Sequence, residues 1–61
     1  MMDYSSWVNS EIVKKSNKPF KSGLKVGIVK SMTINPHNPG LAFLMDDGSI
    51  VNCHQCKLNT Q

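Results

Sequence analysis

Asp46-Asp47-Gly48 separates two apolar runs, Leu41-Ala42-Phe43-Leu44-Met45 and Ile50-Val51, and no other feature constrains the fold of this 61-residue chain as strongly. An Asp-Gly pair between apolar runs is a strong hairpin signal, because glycine enters the left-handed backbone region without a steric cost. The turn holds two residues, or three with Gly48 left-handed and closing a bulge. Residues 41–45 are apolar at every position, as expected of a short central strand packed on both sides.

The run before this hairpin places Leu24, Val26, Ile28, Met32 and Ile34 at even positions, with Lys25, Gly27, Ser31 and Thr33 between them. That is the period-2 pattern of a strand with one buried face. Lys30 on the apolar parity and Val29 on the polar one break the pattern. Either a bulge shifts the register near Lys30, or that lysine sits at a barrel edge and extends its stem to water. Asn35-Pro36-His37-Asn38-Pro39-Gly40 follows as a loop, since proline fixes φ and glycine permits positive φ.

Residues 3–15 admit two readings. As a helix they offer Asp3, Ser5 or Ser6 as caps, set Val8 and Ile12 four apart on one face, and end in Lys14 and Lys15 at the negative end of the dipole. As a strand they alternate poorly, so a short helix or helical turn is expected. Trp7, the lone tryptophan, is expected to cover one open end of the core. The expected organisation is one domain over residues 1–61: an N-terminal helical segment at 1–15, a linker at 16–23 anchored by Phe20, and a β-core at 24–58. The last part of that core is a helical turn and a short strand through Leu58.

So short a chain buries a small share of its surface and is marginal without a staple or a partner. No apolar run approaches a membrane span of about 20 residues. Met1-Met2-Asp3-Tyr4 lacks the basic and apolar regions of a signal peptide, so a cytoplasmic location is the default expectation. Cys53 and Cys56 are too close in sequence for a disulfide to add much stability, and reduced thiols are the simpler state. Together with His37 and His54 they are the four side chains from which a tetrahedral zinc site would have to be built. A CxxC alone is only half of such a site, and His54 would have to fold back into a shell it already flanks. A thioredoxin-like role needs the motif at a helix start in a βαβ setting, whereas here it follows a hairpin. No metal or other cofactor is expected. Asp46 and Asp47 are explained by turn formation, and no serine has a base and an orienting group beside it, so no enzymatic activity is expected.

The net charge of +3 comes from seven lysines, six of which (Lys14, Lys15, Lys18, Lys21, Lys25 and Lys30) fall in an acid-free stretch. With Phe20 interleaved, this stretch has the character of a nucleic-acid footprint: lysines neutralise phosphates and an aromatic stacks on a base. The competing explanation is a solvated surface, and the absence of arginine removes bidentate recognition of phosphate or guanine.

Residues 44–58, LMDDGSIVNCHQCKL, resemble the last hairpin of Src-homology-3-like small barrels of the Tudor and KOW type. In those domains an apolar strand, an Asp-Gly turn and a β-branched strand are followed by a short turn holding a leucine, matched here by Val51 and Leu58. GLKVGIVKSMTI is similar to their long, bent first strand. The resemblance implies a mainly β fold, a small Src-homology-3-like barrel of about four to five short antiparallel strands. Tudor-type methyl-lysine readers need a cage of aromatics on two loops; the loops after Ile34 and Met45 carry none, so that activity is not implied. A bare barrel of this size is also similar to accessory proteins of phages and mobile elements, which dock on host macromolecules. The expected function is a non-enzymatic interaction module that docks on a protein partner as a phage-type modulator or inhibitor of a host protein. The contacts would be strand edges or the Trp7 and Phe20 surface with its flanking lysines. The alternative is a nucleic-acid-binding barrel using the lysines of residues 14–30. Homodimerisation through edge pairing or the N-terminal segment is compatible with either.

Overall fold

A computed structural model describes residues 3–60. Five antiparallel strands form one open sheet: β1 (Glu11–Lys14), β2 (Val26–Ile34), β3 (Leu41–Met45), β4 (Ile50–Asn52) and β5 (Cys56–Leu58), in the order β4-β3-β2-β1-β5. The central strand is therefore β2, not the residue 41–45 strand. This mainly β arrangement is compatible with a Src-homology-3-like barrel. Among the described residues no helix is long and apolar enough to cross a membrane.

The β3–β4 hairpin closes through three residues. Gly48 N donates to Met45 O at 3.0 Å, Met45 N to Ser49 O at 2.8 Å, and Gly48 takes φ +88°, the left-handed position that glycine fills without strain. In β2 the pairing with β3 shifts register between Val29 and Ser31, so the bulge does fall at Lys30. The bulge changes which parity faces inward. Val29, fully buried, pairs with Met45 before it; Met32, packed against the core, pairs with Phe43 after it. An inward even parity is thus a correction along the first half of the strand: Leu24 and Ile28 are exposed, as is Ile34 at the far end. The extra residue turned the pleat, and Lys30 projects into solvent.

The N-terminal segment contains less helix than its spacing suggests. Only Tyr4–Trp7 forms a 3-10 turn, capped by Asp3, whose carboxylate accepts from Ser5 N at 3.1 Å. Asn9 then adopts φ +72° and donates from its backbone to Val29 O at 2.7 Å, which ends the turn and starts an extended chain. Residues 11–14 are a strand because β1 fills the gap between β2 and β5, where Ile12 pairs with Gly27 and Leu58 and is fully buried. Tertiary pairing has overridden a weak local helical preference.

The 3-10 turn carries Trp7 over the core. Its ring stacks on Phe43 with centroids 5.7 Å apart, and Tyr4 meets both rings edge-on at 5.1 and 5.9 Å. Phe20, from the β1–β2 connection, is buried beside Gly27, where a Cβ would come within 3.1 Å of the phenyl ring and 2.6 Å of Met45 Cε. The connection is clasped to the hairpin tip. Lys21 N donates to Ser49 Oγ at 3.0 Å and Ser22 N to Asp47 Oδ2 at 2.8 Å, while Asp47 Oδ1 accepts from Ser49 N at 2.8 Å. Asp47 is therefore both a turn residue and a tether.

Phe43 is fully buried and touches both aromatics of the N-terminal turn. Replacing it with alanine is expected to cost about 3–5 kcal/mol, most of the roughly 5 kcal/mol available to a domain this small. Urea unfolding of F43A followed by far-ultraviolet circular dichroism at 25 °C should have its midpoint shifted to low denaturant; a nearly unchanged urea midpoint would contradict this packing.

Candidate functional site

The end of β1 and the residues after it form one wall of a groove of about 560 Å³. Lys14, Lys15, Ser16 and Lys18 lie on this side; Ile50, Val51 and Asn52 of β4, with His54 and Gln55 of the second 3-10 turn (Cys53–Gln55), lie on the other, and Asn35 at the end of β2 completes the lining. A backbone bond from Lys15 N to Gln55 O, 2.9 Å, ties the two sides together. Asn17 supplies the bend that returns the chain towards the groove, with φ +62° and its N–H donated to Lys14 O at 2.9 Å.

The groove has three lysines and no acid in its lining. Lys14 is restrained: its Nζ donates to Pro19 O at 3.2 Å and sits 5.2 Å from the centre of the Phe20 ring, a cation–π contact. Lys15 and Lys18 are exposed. The acids are elsewhere. Glu11, Asp46 and Asp47 line a separate cleft of about 410 Å³ with the exposed Leu24 and Ile28. The fold therefore converts a charge asymmetry along the chain into two surfaces of opposite sign.

Only part of the expected lysine stretch converges. Lys14, Lys15 and Lys18 share the groove; Lys21 lies near the hairpin turn, its Nζ 4.0 Å from where a Gly48 Cβ would be, and Lys25 and Lys30 are exposed outside it. Trp7 closes the core as expected and so is withdrawn, with Phe20, from the contact surface also considered for the pair. Trp7 is 6% exposed and Phe20 4%, because a chain with so few large apolar side chains needs both to close its interior. Neither ring presents a face on which a base could stack.

Cys53 and Cys56 are both buried free thiols. Burial raises the Cys53 thiol above its ordinary value. It also pushes Cys56 up to about 11, helped by the neighbouring Cys53 and opposed by Lys14 and Lys15. His37 and His54 are exposed, and among the described residues no three or more His, Cys, Asp or Glu side chains gather as a metal site would require. Burial works against the charged form of Asp47, but hydrogen bonds from Ser49 and Ser22 outweigh it and hold the carboxyl below its usual 3.8.

Sequence reasoning missed the asparagine clamp at the far end of the groove. Asn52 is 3% exposed, and its Oδ1 accepts from Asn35 Nδ2 at 2.7 Å while its Nδ2 donates to Asn38 O at 3.0 Å. Asn35 Oδ1 in turn accepts from the backbone N–H groups of His37 and Asn38, at 3.0 and 3.3 Å. An asparagine between Val51 and Cys53 in an apolar strand was the available signal, since a buried amide must find partners. Gly40, at the base of the same loop, leaves room for the clamp: a Cβ there would lie 3.3 Å from Asn52 Nδ2. No protein-family model, curated protein or solved structure matches the chain.

Asn52→Ala should cost about 1–3 kcal/mol by stranding Asn35 Nδ2 and Asn38 O, and a urea midpoint equal to that of the wild type would contradict the clamp. The thiols give a second expectation. With Cys56 at about 11 against an ordinary 9.0, native protein at pH 8 should react with iodoacetamide at this site about 100-fold more slowly than urea-unfolded protein. Because the folded value is raised, the associated stability is intact below pH 9.0 and is lost as pH rises towards about 11. Equal alkylation rates in the two states would refute the burial of this group.

Proposed function

We propose that the chain is a non-enzymatic interaction module that docks on a protein partner through the basic groove. The observation that carries this reading is the convergence of Lys14, Lys15 and Lys18 beside the half-exposed Ile50, with no acid in the lining. A cavity combining positive charge with an aliphatic wall suits a protein surface of opposite charge. The strand edges are less suited to the task, since β4 and β5 are three residues each and give a partner strand little to pair with. The finer reading is a Src-homology-3-like barrel acting as a phage-type modulator or inhibitor of a host protein. It rests on the likeness of so small a barrel, with its carboxylate tether and thiols engaged in structure, to such accessory proteins.

The same lysines sustain the alternative, a nucleic-acid-binding barrel, but its support is thinner. Three of the six lysines lie outside the groove, and the rings of Trp7, Phe20 and Phe43 are buried. Immobilised protein should be exposed to cell extract, with and without nuclease treatment, as wild type, K15E/K18E and K25E/K30E. A protein retained by the first and third and lost from the second is expected. Retention abolished by nuclease, with log affinity falling against log salt by about 0.7–0.9 per phosphate contacted, would transfer the reading to nucleic acid.

A further inference from the structure

Asn35 and Asn52 stand at one end of the groove, and their hydrogen bonds fix which way each amide faces. Backbone N–H groups only donate, so the bonds from His37 N and Asn38 N fix Asn35 with Oδ1 towards its own loop and Nδ2 towards Asn52. Asn52 must then accept with Oδ1, leaving Nδ2 to donate to Asn38 O, a carbonyl that only accepts. Neither amide can flip without breaking these bonds. The ammonium groups of Lys15 and Lys18, exposed on the opposite wall, supply the donors that the groove offers a ligand.

We infer that the groove takes an extended acidic segment of the partner protein, with carboxylates flanking one aliphatic residue. This rests on the docking reading above and specifies its ligand. Carboxylate oxygens are acceptors only and match the ammonium donors of Lys15 and Lys18. The aliphatic residue packs on Ile50, which is 40% exposed. Alternate residues of an extended chain project to the same side about 7 Å apart, so acid, aliphatic and acid at positions i, i+2 and i+4 face the groove together. Lys14, held by Pro19 O and Phe20, adds a fixed positive field behind the contact. A phosphate backbone is the poorer match, because there is no guanidinium fork and the exposed His54 imidazole is the one ring in the lining to take a base.

The test measures fluorescence anisotropy of a fluorescein-labelled peptide with the core Glu-Ser-Leu-Ser-Glu. Parallel probes have both Glu replaced by Gln, or Leu replaced by Ser, and a thymidine oligonucleotide of equal charge completes the set. The Glu peptide should bind about tenfold more tightly than the Gln peptide, the effect of two partly screened ion pairs. K15E/K18E should abolish binding, K25E/K30E should leave it within about twofold, and I50S should remove the advantage of Leu over Ser. Equal binding of the Glu and Gln peptides, tighter binding of the oligonucleotide, or equal losses in the two double variants would overturn the inference. If no peptide binds but extract capture still depends on Lys15 and Lys18, the acidic segment is wrong and the docking reading survives. If capture is also indifferent to those lysines, both fall.

Discussion

One extra residue in β2 governs the rest of the structure. The strand serves β1 along its first half and β3 along its second, and both halves must present apolar side chains to the same interior. A strand of constant pleat would direct either Val29 or Met32 outward. The bulge at Lys30 lets both contribute to the core and gives the lysine to solvent. Trp7, Phe43 and Phe20 can close the interior only because the two halves of β2 point the same way.

The elements legible in the sequence were those whose cause is local. Gly48 after two aspartates required a hairpin, and the three-residue form with a left-handed glycine is present. The mismatch of Val29 and Lys30 revealed the bulge, although its effect on parity was not followed through, so Leu24 and Ile28 were placed inside. β1 was missed because nothing within residues 3–15 specifies it. Its stability comes from β2 and β5, which are distant in sequence, and from Asn9, whose left-handed backbone stops the turn. The burial of Phe20 was missed for a related reason: local patterning does not reveal how few large side chains a small core can spare.

The candidate site was legible in the same proportion. Lys14, Lys15 and Lys18 are close along the chain and therefore visible as a group. Ile50, Asn52 and Gln55 reach the groove only through the return of the chain across the sheet, and Asn35 through the loop that the clamp secures. Charge was thus readable, whereas the orientation of the amides on the opposite wall depends on bonds among Asn35, Asn38 and Asn52 that the sequence does not reveal.

The pairing of β1 with β5 also bears on the order of folding. β2, β3 and β4 form a meander whose contacts close short loops, whereas Ile12 reaches Leu58 only by joining nearly opposite ends of the chain. Loop-closure entropy places that step late. The groove straddles this seam, with Lys14 and Lys15 on β1 and its edge and His54 and Gln55 just before β5. A nascent or partly opened chain therefore lacks the assembled groove, because its lysine wall is seated by the pairing of β1 with β5.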